Sequence, residues 1–440
     1  MLTVQVAPDD CTGCTVCATV CPASALTMAP ARTVRDAERR GFEHFMTIPD
    51  TDRTRLRTDT VEGSQLLRPL FEFSGACSGC GQTPYVKLVS QVLGDRMLVA
   101  NATGCSSIYG GNLPTTPWAT DGEGRGPAWN NSLFEDNAEF GMGLKLGALQ
   151  RADQARALLA GLGGELDLPD GVLDGLLGDV AVTDEKAVAR QRERVALLHR
   201  ALDLVDPAAG AGARALALRG VADALVPVSV WVIGGDGWAY DIGFGGLDHL
   251  FASGQDINVL VLDSEVYSNT GGQASKATPL GASAKFAVAG KSRRKKDLGL
   301  LAQVYGDVYV AQVALNADDA QTVRAITEAA AYPGPSLVLA YATCREQGVD
   351  LTSGIDHQRG AVASGHWPLY RYHPEPTPGA GSVFTLDSGA PSVPLGQFYA
   401  TETRYQAVTR ADPERAEALL ARAQEHVDER WAVYSRLAEK

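Results

Sequence analysis

The sequence predicts an α/β protein built on a doubly wound, mostly parallel sheet, with a small cysteine-rich segment ahead of it. Three observations carry this: near-continuous apolar runs of strand length, helical stretches between them, and turns rich in Gly, Asp, Ser and Cys where the runs end. Strands that are apolar on both faces need helices on both sides, because a strand with one wet face would alternate. The runs are Met97–Ala100, Val228–Ile233, Ile257–Leu262, Val308–Val310 and Ser336–Ala340. Asp241–Ser253 fits a crossover helix between the second and third, and Ala317–Ala331 one between the last two. Gln150–Leu225, rich in Ala, Leu, Arg and Asp, is predicted as a helical insertion that supplies surface packing and little chemistry.

Four segments follow from this pattern: a cysteine-rich stretch (1–30), an arginine-rich extended linker (31–67), the α/β domain (68–375) and a C-terminal extension that is largely helical at its end (376–440). A net charge of −13, from 39 basic and 52 acidic residues, argues against nucleic acid and against an anionic membrane surface. No apolar run is long enough to span a bilayer, and Met1–Val6 lacks a basic-then-apolar secretory pattern, so a cytoplasmic location is expected.

All eight cysteines fall into two groups whose spacing, in a reducing compartment, favours metal over disulfide. Cys11-x-x-Cys14-x-x-Cys17-x-x-x-Cys21-Pro22 is the ferredoxin run: three thiolates cap one [4Fe–4S] cluster and the fourth serves a second cluster. The three-residue gap and trailing Cys-Pro are unlike a zinc site. A two-cluster ferredoxin fold needs two such runs, and one is present, so the set is incomplete. The second group is Cys77-x-x-Cys80 with Cys105 and Cys344. By spacing alone Cys77-x-x-Cys80 is equally a redox dithiol. Placement favours a cluster, since all four are expected on loops at one edge of the sheet.

Gly235-Asp236-Gly237 follows a buried strand and resembles the opening of a thiamine-diphosphate motif: glycines admit the diphosphate, and the aspartate binds the bridging Mg²⁺. Alone it is a common turn. A second strand ends at Asp263-Ser264-Glu265-Val266, where the Ser264 hydroxyl and a backbone carbonyl complete an oxygen set with Asp236. A dinucleotide fold is the competing reading, and the absence of Gly-x-Gly-x-x-Gly counts against it.

Longer stretches carry a family resemblance. Phe71–Gly81, Asn101–Asn112, Gly124–Trp129 through Phe140, Gly235–Gly243 and Tyr267–Gln273 resemble the pyruvate:ferredoxin (flavodoxin) oxidoreductases, specifically their C-terminal part. The resemblance implies a thiamine-diphosphate-binding fold in which Cys77, Cys80, Cys105 and Cys344 hold a [4Fe–4S] cluster. It implies Mg²⁺ on Asp236, the Ser264 hydroxyl and the Val266 carbonyl. Thiamine diphosphate would touch Gln82, Cys105, Gly235, Asp236, Gly237, Trp238, Ser264, Glu265, Val266, Tyr267, Ser268 and Asn269, with Asn269 also facing substrate as the catalytic residue. Pyruvate, coenzyme A, and ferredoxin or flavodoxin are the implied partners.

Departures from the family pattern are also present. Gln82 replaces the usual Glu, Ser264 replaces Thr, and Cys344 precedes Arg345-Glu346-Gln347 in place of a histidine-containing sequence. No segment resembles the N-terminal domain that supplies the family's ylide-promoting glutamate and pyruvate-gripping residues, so a subunit or chain carrying it is an expected partner. Two other readings stand beside this one: a non-catalytic electron-transfer or scaffold subunit, and an oxidoreductase for another 2-oxoacid.

Overall fold

The computed structural model describes residues 4–111, 115–208, 210–374 and 383–439. Asn112 of the resemblance motifs and the first residues of the expected C-terminal extension, 376–382, therefore lie outside the described residues.

Eight strands form one sheet: β1 (Met97–Asn101), β2 (Ala128–Asn131), β3 (Ser229–Gly235), β4 (Asn258–Asp263), β5 (Tyr309–Val313), β6 (Ser336–Tyr341), β7 (Tyr370–His373) and β8 (Val383–Leu386). Their order is β2-β1-β3-β4-β6-β5-β7-β8. The first six pair in parallel, while β7 and β8 add an antiparallel edge. The apolar runs are thus the central strands, with ends that differ by at most three residues.

Every residue of β4 and β6 is buried, because side chains of alternate residues feed two different cores. Val230, Val232, Val259, Val261, Leu337 and Leu339 face Trp238, Phe251, Trp367 and Leu419. Trp231, Ile233, Leu260, Leu262, Val338 and Ala340 face Tyr85, Val89, Val323 and Ile326 on the opposite side. Two-sided burial is the reason the strands read as continuous apolar runs.

The helical insertion has a core of its own, with Leu159, Leu162, Leu176, Leu198 and Leu218 packed together. Its first helix, Asn137–Leu162, begins earlier than the composition suggested. Gly141 presses that helix onto the sheet: a Cβ there would stand 2.3 Å from Cγ2 of Val232.

Two segment assignments are corrected. The 31–67 connector is not extended throughout, since Ala31–Phe45 is a helix entered from Pro30. Its arginines are functional at helical spacing: Arg35 and Arg39 both donate to the Asp9 carboxylate (2.6 and 2.7 Å), fastening the helix to the cysteine-rich stretch. Further on, Arg53 and Arg96 both reach Glu185 (2.9 and 2.6 Å), tying connector, sheet and insertion together. The C-terminal extension is not separate from the α/β domain either. It supplies β8, whose Phe384 stacks on Tyr370 of β7, and then the helices Thr403–Ala411 and Pro413–Ala438. Among the described residues no helix is long and apolar enough to cross a membrane.

Replacing Gly141 with leucine would force the first insertion helix off β3. A loss of about 1–3 kcal/mol in unfolding free energy is expected by denaturant titration; an unchanged midpoint would show that the helix does not press on the sheet.

Candidate cofactor and cluster site

Parallel pairing brings the carboxyl ends of β1, β3 and β4 to one edge, where a cavity of about 530 Å³ opens. Every residue expected to contact a cofactor lines it except Glu265. The turn after β3 comes this close to the next loop because Gly237 has no side chain. A Cβ there would stand 2.3 Å from the Tyr267 ring, whose hydroxyl donates to the Gly237 carbonyl (3.2 Å) and to Asp241 (2.8 Å). Asn269 lies on the lining as well, at an exposed position.

Three oxygens cluster on the floor. Ser264 Oγ is 3.1 Å from Asp236 Oδ1 and 3.3 Å from the Val266 carbonyl. Neighbouring oxygens around octahedral Mg²⁺ are about 3 Å apart, given bonds of about 2.0–2.1 Å. Carboxylate, hydroxyl and carbonyl are thus spaced as adjacent corners of such a shell, and the donor set suits a hard cation. Ser275, unremarked in the sequence, donates to the other Asp236 oxygen (2.8 Å) and orients it. Burial, and then the charge of Asp263, push the Asp236 carboxyl up to about 7. A bound cation would supply the charge that this carboxylate lacks.

Glu265 is a correction. Its side chain is turned away from the cavity and fully buried beneath it, held by Lys295 (3.1 Å), His366 (3.0 Å) and Arg404 (2.7 Å). Burial opposes its charge, yet Lys295, His366 and Arg404 keep it well below the ordinary carboxylate range. With φ at 62°, Glu265 sits in the left-handed region. That kink sends its own side chain downward, while the Ser264 hydroxyl and Val266 carbonyl meet on the opposite side.

The four inner cysteines arrive from three directions. Cys105 follows β1, and its thiol lies 3.3 Å from the Ser268 hydroxyl. Cys344 lies beyond the end of β6. Cys77 and Cys80 follow no strand; they lie on a loop that leads into the helix Thr83–Leu93. They reach the same edge because Gly81 donates to the Thr343 carbonyl (3.1 Å), and a Cβ on Gly81 would sit 2.4 Å from the Thr343 nitrogen. Burial, with neighbouring thiols adding, raises Cys80 and Cys105 and pushes Cys344 up to about 12. Thiols so placed ionise readily only against cationic iron. Among the described residues no three Cys, His, Asp or Glu side chains converge on a single-ion position. A cubane takes its ligands at separate corners, and the Mg²⁺-type set above uses a hydroxyl and a carbonyl.

Cys11, Cys14, Cys17 and Cys21 stand apart on the N-terminal stretch, Cys11 and Cys17 exposed and the other two half-buried. The Cys21 thiol accepts the Ala25 backbone N–H (3.3 Å), which with Ala23 lowers its pKa.

Residues 205–340 match the thiamine pyrophosphate enzyme C-terminal TPP-binding domain, and residues 4–27 match the 4Fe-4S binding domain. The chain carries both, so it has a thiamine-diphosphate-binding domain and an iron–sulfur motif. It is 53% identical over 99% of its length to a pyruvate-flavodoxin oxidoreductase from Rhodospirillum rubrum, covering 36% of that protein. It is 48% identical over 99% of its length to a probable pyruvate-flavodoxin oxidoreductase from Escherichia coli, covering 37%. A pyruvate:ferredoxin oxidoreductase from Moorella thermoacetica is 46% identical over 99% of the chain, which covers 37% of it. The chain is a homologue of one part of the pyruvate-flavodoxin oxidoreductases and spans just over a third of the length of these relatives. A 2-oxoglutarate:ferredoxin oxidoreductase from Magnetococcus marinus superimposes at a TM-score of only 0.37 with 15% identity, over 64% of this chain and 68% of that one, too distant to carry weight.

Sequence reasoning missed Ser275, Phe134, Gln273 and Phe286 on or under the cavity, and the Lys295–Arg404 support below it. None has a spacing signature, and all arrive through the fold.

Asp236 also yields a pH prediction for the metal-free protein. Its folded pKa of about 7 lies above the ordinary 3.8, so the folded state holds the extra proton between those values. Stability then falls as pH rises through that window. Asp236→Asn is expected to be more stable than wild type at pH 8 in chelator, with the gain shrinking towards pH 4. Parallel stability profiles from pH 4 to pH 8 would contradict the origin given for the shift.

Proposed function

We propose that this chain is the cofactor-binding part of a pyruvate:ferredoxin (flavodoxin) oxidoreductase. The observation that carries the reading is the adjacency of two donor sets at one sheet edge: the Asp236–Ser264–Val266 oxygens in the cavity and the four cysteines of which Cys105 lines it. Asp236, Ser264 and Val266 would hold Mg²⁺ and, through it, the diphosphate. Cys77, Cys80, Cys105 and Cys344 would hold a [4Fe–4S] cluster beside it. Bound thiamine diphosphate supplies the nucleophilic carbon at which a 2-oxoacid loses CO₂.

This chain's own residues position and insulate that chemistry. Trp238 and Phe134 wall the cavity with apolar surface. Gln82 is buried and its amide oxygen accepts from Tyr109 (3.2 Å), presenting a neutral group. Asn269 lines the cavity at an exposed position and would be the residue that meets substrate. In this reading pyruvate and coenzyme A would become acetyl-coenzyme A, CO₂ and a proton, and a [4Fe–4S] cluster on Cys77, Cys80, Cys105 and Cys344 would supply the one-electron relay for the two electrons passed to ferredoxin or flavodoxin. The Cys11–Cys21 stretch would hold a second cluster once a further segment supplies the missing ligand. Such a segment, in the same or a partner chain, would also bring the acid group for the pyrimidine side, whose assistance is worth about 10²–10⁴-fold. The reduced thiols suit the cytosol.

The neutral Gln82 favours a second reading, a subunit that keeps clusters without turnover. Cofactor titration separates the two, because a scaffold need not bind thiamine diphosphate. Asp236→Ala is expected to abolish Mg²⁺-dependent binding of thiamine diphosphate while leaving the cluster absorbance intact; unchanged affinity would sink the site. Cys344→Ser is expected to lose the inner cluster's iron and its visible absorbance, and a full iron count would remove Cys344 from the ligand set. The decisive assay is pyruvate- and coenzyme-A-dependent viologen reduction by the anaerobically reconstituted chain, alone and with the remaining segments. The reading requires activity in the second case and is overturned if neither reduces viologen.

A further inference from the structure

One buried side chain joins the two donor sets. Gln347 is fully buried in the tight turn that follows Cys344, whereas its neighbour Arg345 is exposed and Glu346 half-buried. Its amide oxygen accepts the Cys344 backbone N–H (2.9 Å), and its amide nitrogen donates to the Ser264 carbonyl (3.1 Å). Backbone pairing already sets these loops side by side, since Ala342 donates to the Asp263 carbonyl (2.9 Å). Beyond that pairing β4 and β6 diverge, and the Gln347 amide spans the gap. From below, Thr403 donates through both N–H (3.2 Å) and hydroxyl (2.8 Å) to the Gly348 carbonyl and closes the turn.

From this geometry we infer that Gln347 is a positioning residue that couples cluster occupancy to cofactor affinity. The inference rests on the proposed roles of Cys344 and Ser264. A cluster bound to Cys344 stiffens the turn. The stiffened turn fixes the Gln347 amide, and the amide holds the Ser264 carbonyl so that its hydroxyl stays directed towards Asp236. The link is pre-organisation, and by thermodynamic reciprocity the bound cofactor stabilises the cluster turn to the same degree. The amide does both tasks at once, because it carries an acceptor and a donor on one rigid plane.

The test is a titration of the full chain with thiamine diphosphate at saturating Mg²⁺, followed by tryptophan fluorescence, with the inner cluster reconstituted and then removed. In wild type, loss of the cluster is expected to weaken binding about tenfold, the scale of one buried hydrogen bond left unmade. In Gln347→Ala that ratio should collapse to about one, with affinity at the cluster-free level throughout. Gln347→Glu keeps the acceptor for Cys344 but sets an oxygen against the Ser264 carbonyl. It should retain iron like wild type yet bind cofactor as weakly as the alanine variant, an outcome that general loss of packing would not give. The same cluster dependence in wild type and Gln347→Ala would overturn the coupling, as would a wild type indifferent to its cluster. A wild type that binds no thiamine diphosphate in either form would overturn the proposed function itself, and this inference with it.

Discussion

The in-register parallel pairing of β3 with β4 is the constraint on which the rest of the site depends. Gly235 lies opposite Leu262, so the chain leaves both strands at the same level and Asp236 meets Ser264 without any long side chain reaching across. Parallel strands need a crossover between them, and here it is the helical run from Gly237 to Ala252, which starts directly at the motif. A slip of one residue would turn Asp236 into the opposite core and destroy the oxygen set. The same pairing carries Cys105, after β1, and Cys344, after β6, to that edge.

Beneath the edge lies an unusual density of buried charge. Lys295 bridges Asp263 and Glu265 between the rings of Tyr240 and Trp367, and Arg404 joins Glu265 to Glu402, which also meets His357. Buried ion pairs contribute little net stability, because desolvation offsets most of the attraction. They do make the position of Glu265 costly to change, and Glu265 is the residue whose left-handed backbone lets the Ser264 hydroxyl meet both Asp236 and the Val266 carbonyl. Arg404 comes from the C-terminal helices, so a segment that looked peripheral in sequence braces the loop that carries the proposed cation ligands.

Much of the fold was legible because burial on both faces leaves a plain mark on composition. The five apolar runs are β1, β3, β4, β5 and β6, with ends that differ by at most three residues. The short edge strands β2, β7 and β8 left no such mark. Two-sided burial fades at a sheet edge, and Arg371 and His373 of β7 alternate with buried tyrosines. The helix Ala31–Phe45 was hidden for a related reason: charged residues dominate its composition, its narrow apolar stripe of Val34, Ala37, Phe42 and Phe45 includes no buried residue, and arginine contacts to a distant aspartate fasten it.

The sequence by itself determined the chemistry available: which thiols are spaced for clusters, and which strand-end turn carries an aspartate between glycines. It did so because motif residues lie close in the chain, where local geometry links spacing to function. Only the tertiary structure decided that Cys77 and Cys80 reach the edge through a helix lead-in, that Glu265 faces downward, and that Gln347 spans two loops. Those outcomes depend on contacts between residues dozens to hundreds of positions apart, and packing, unlike spacing, is settled only when all the elements are in place.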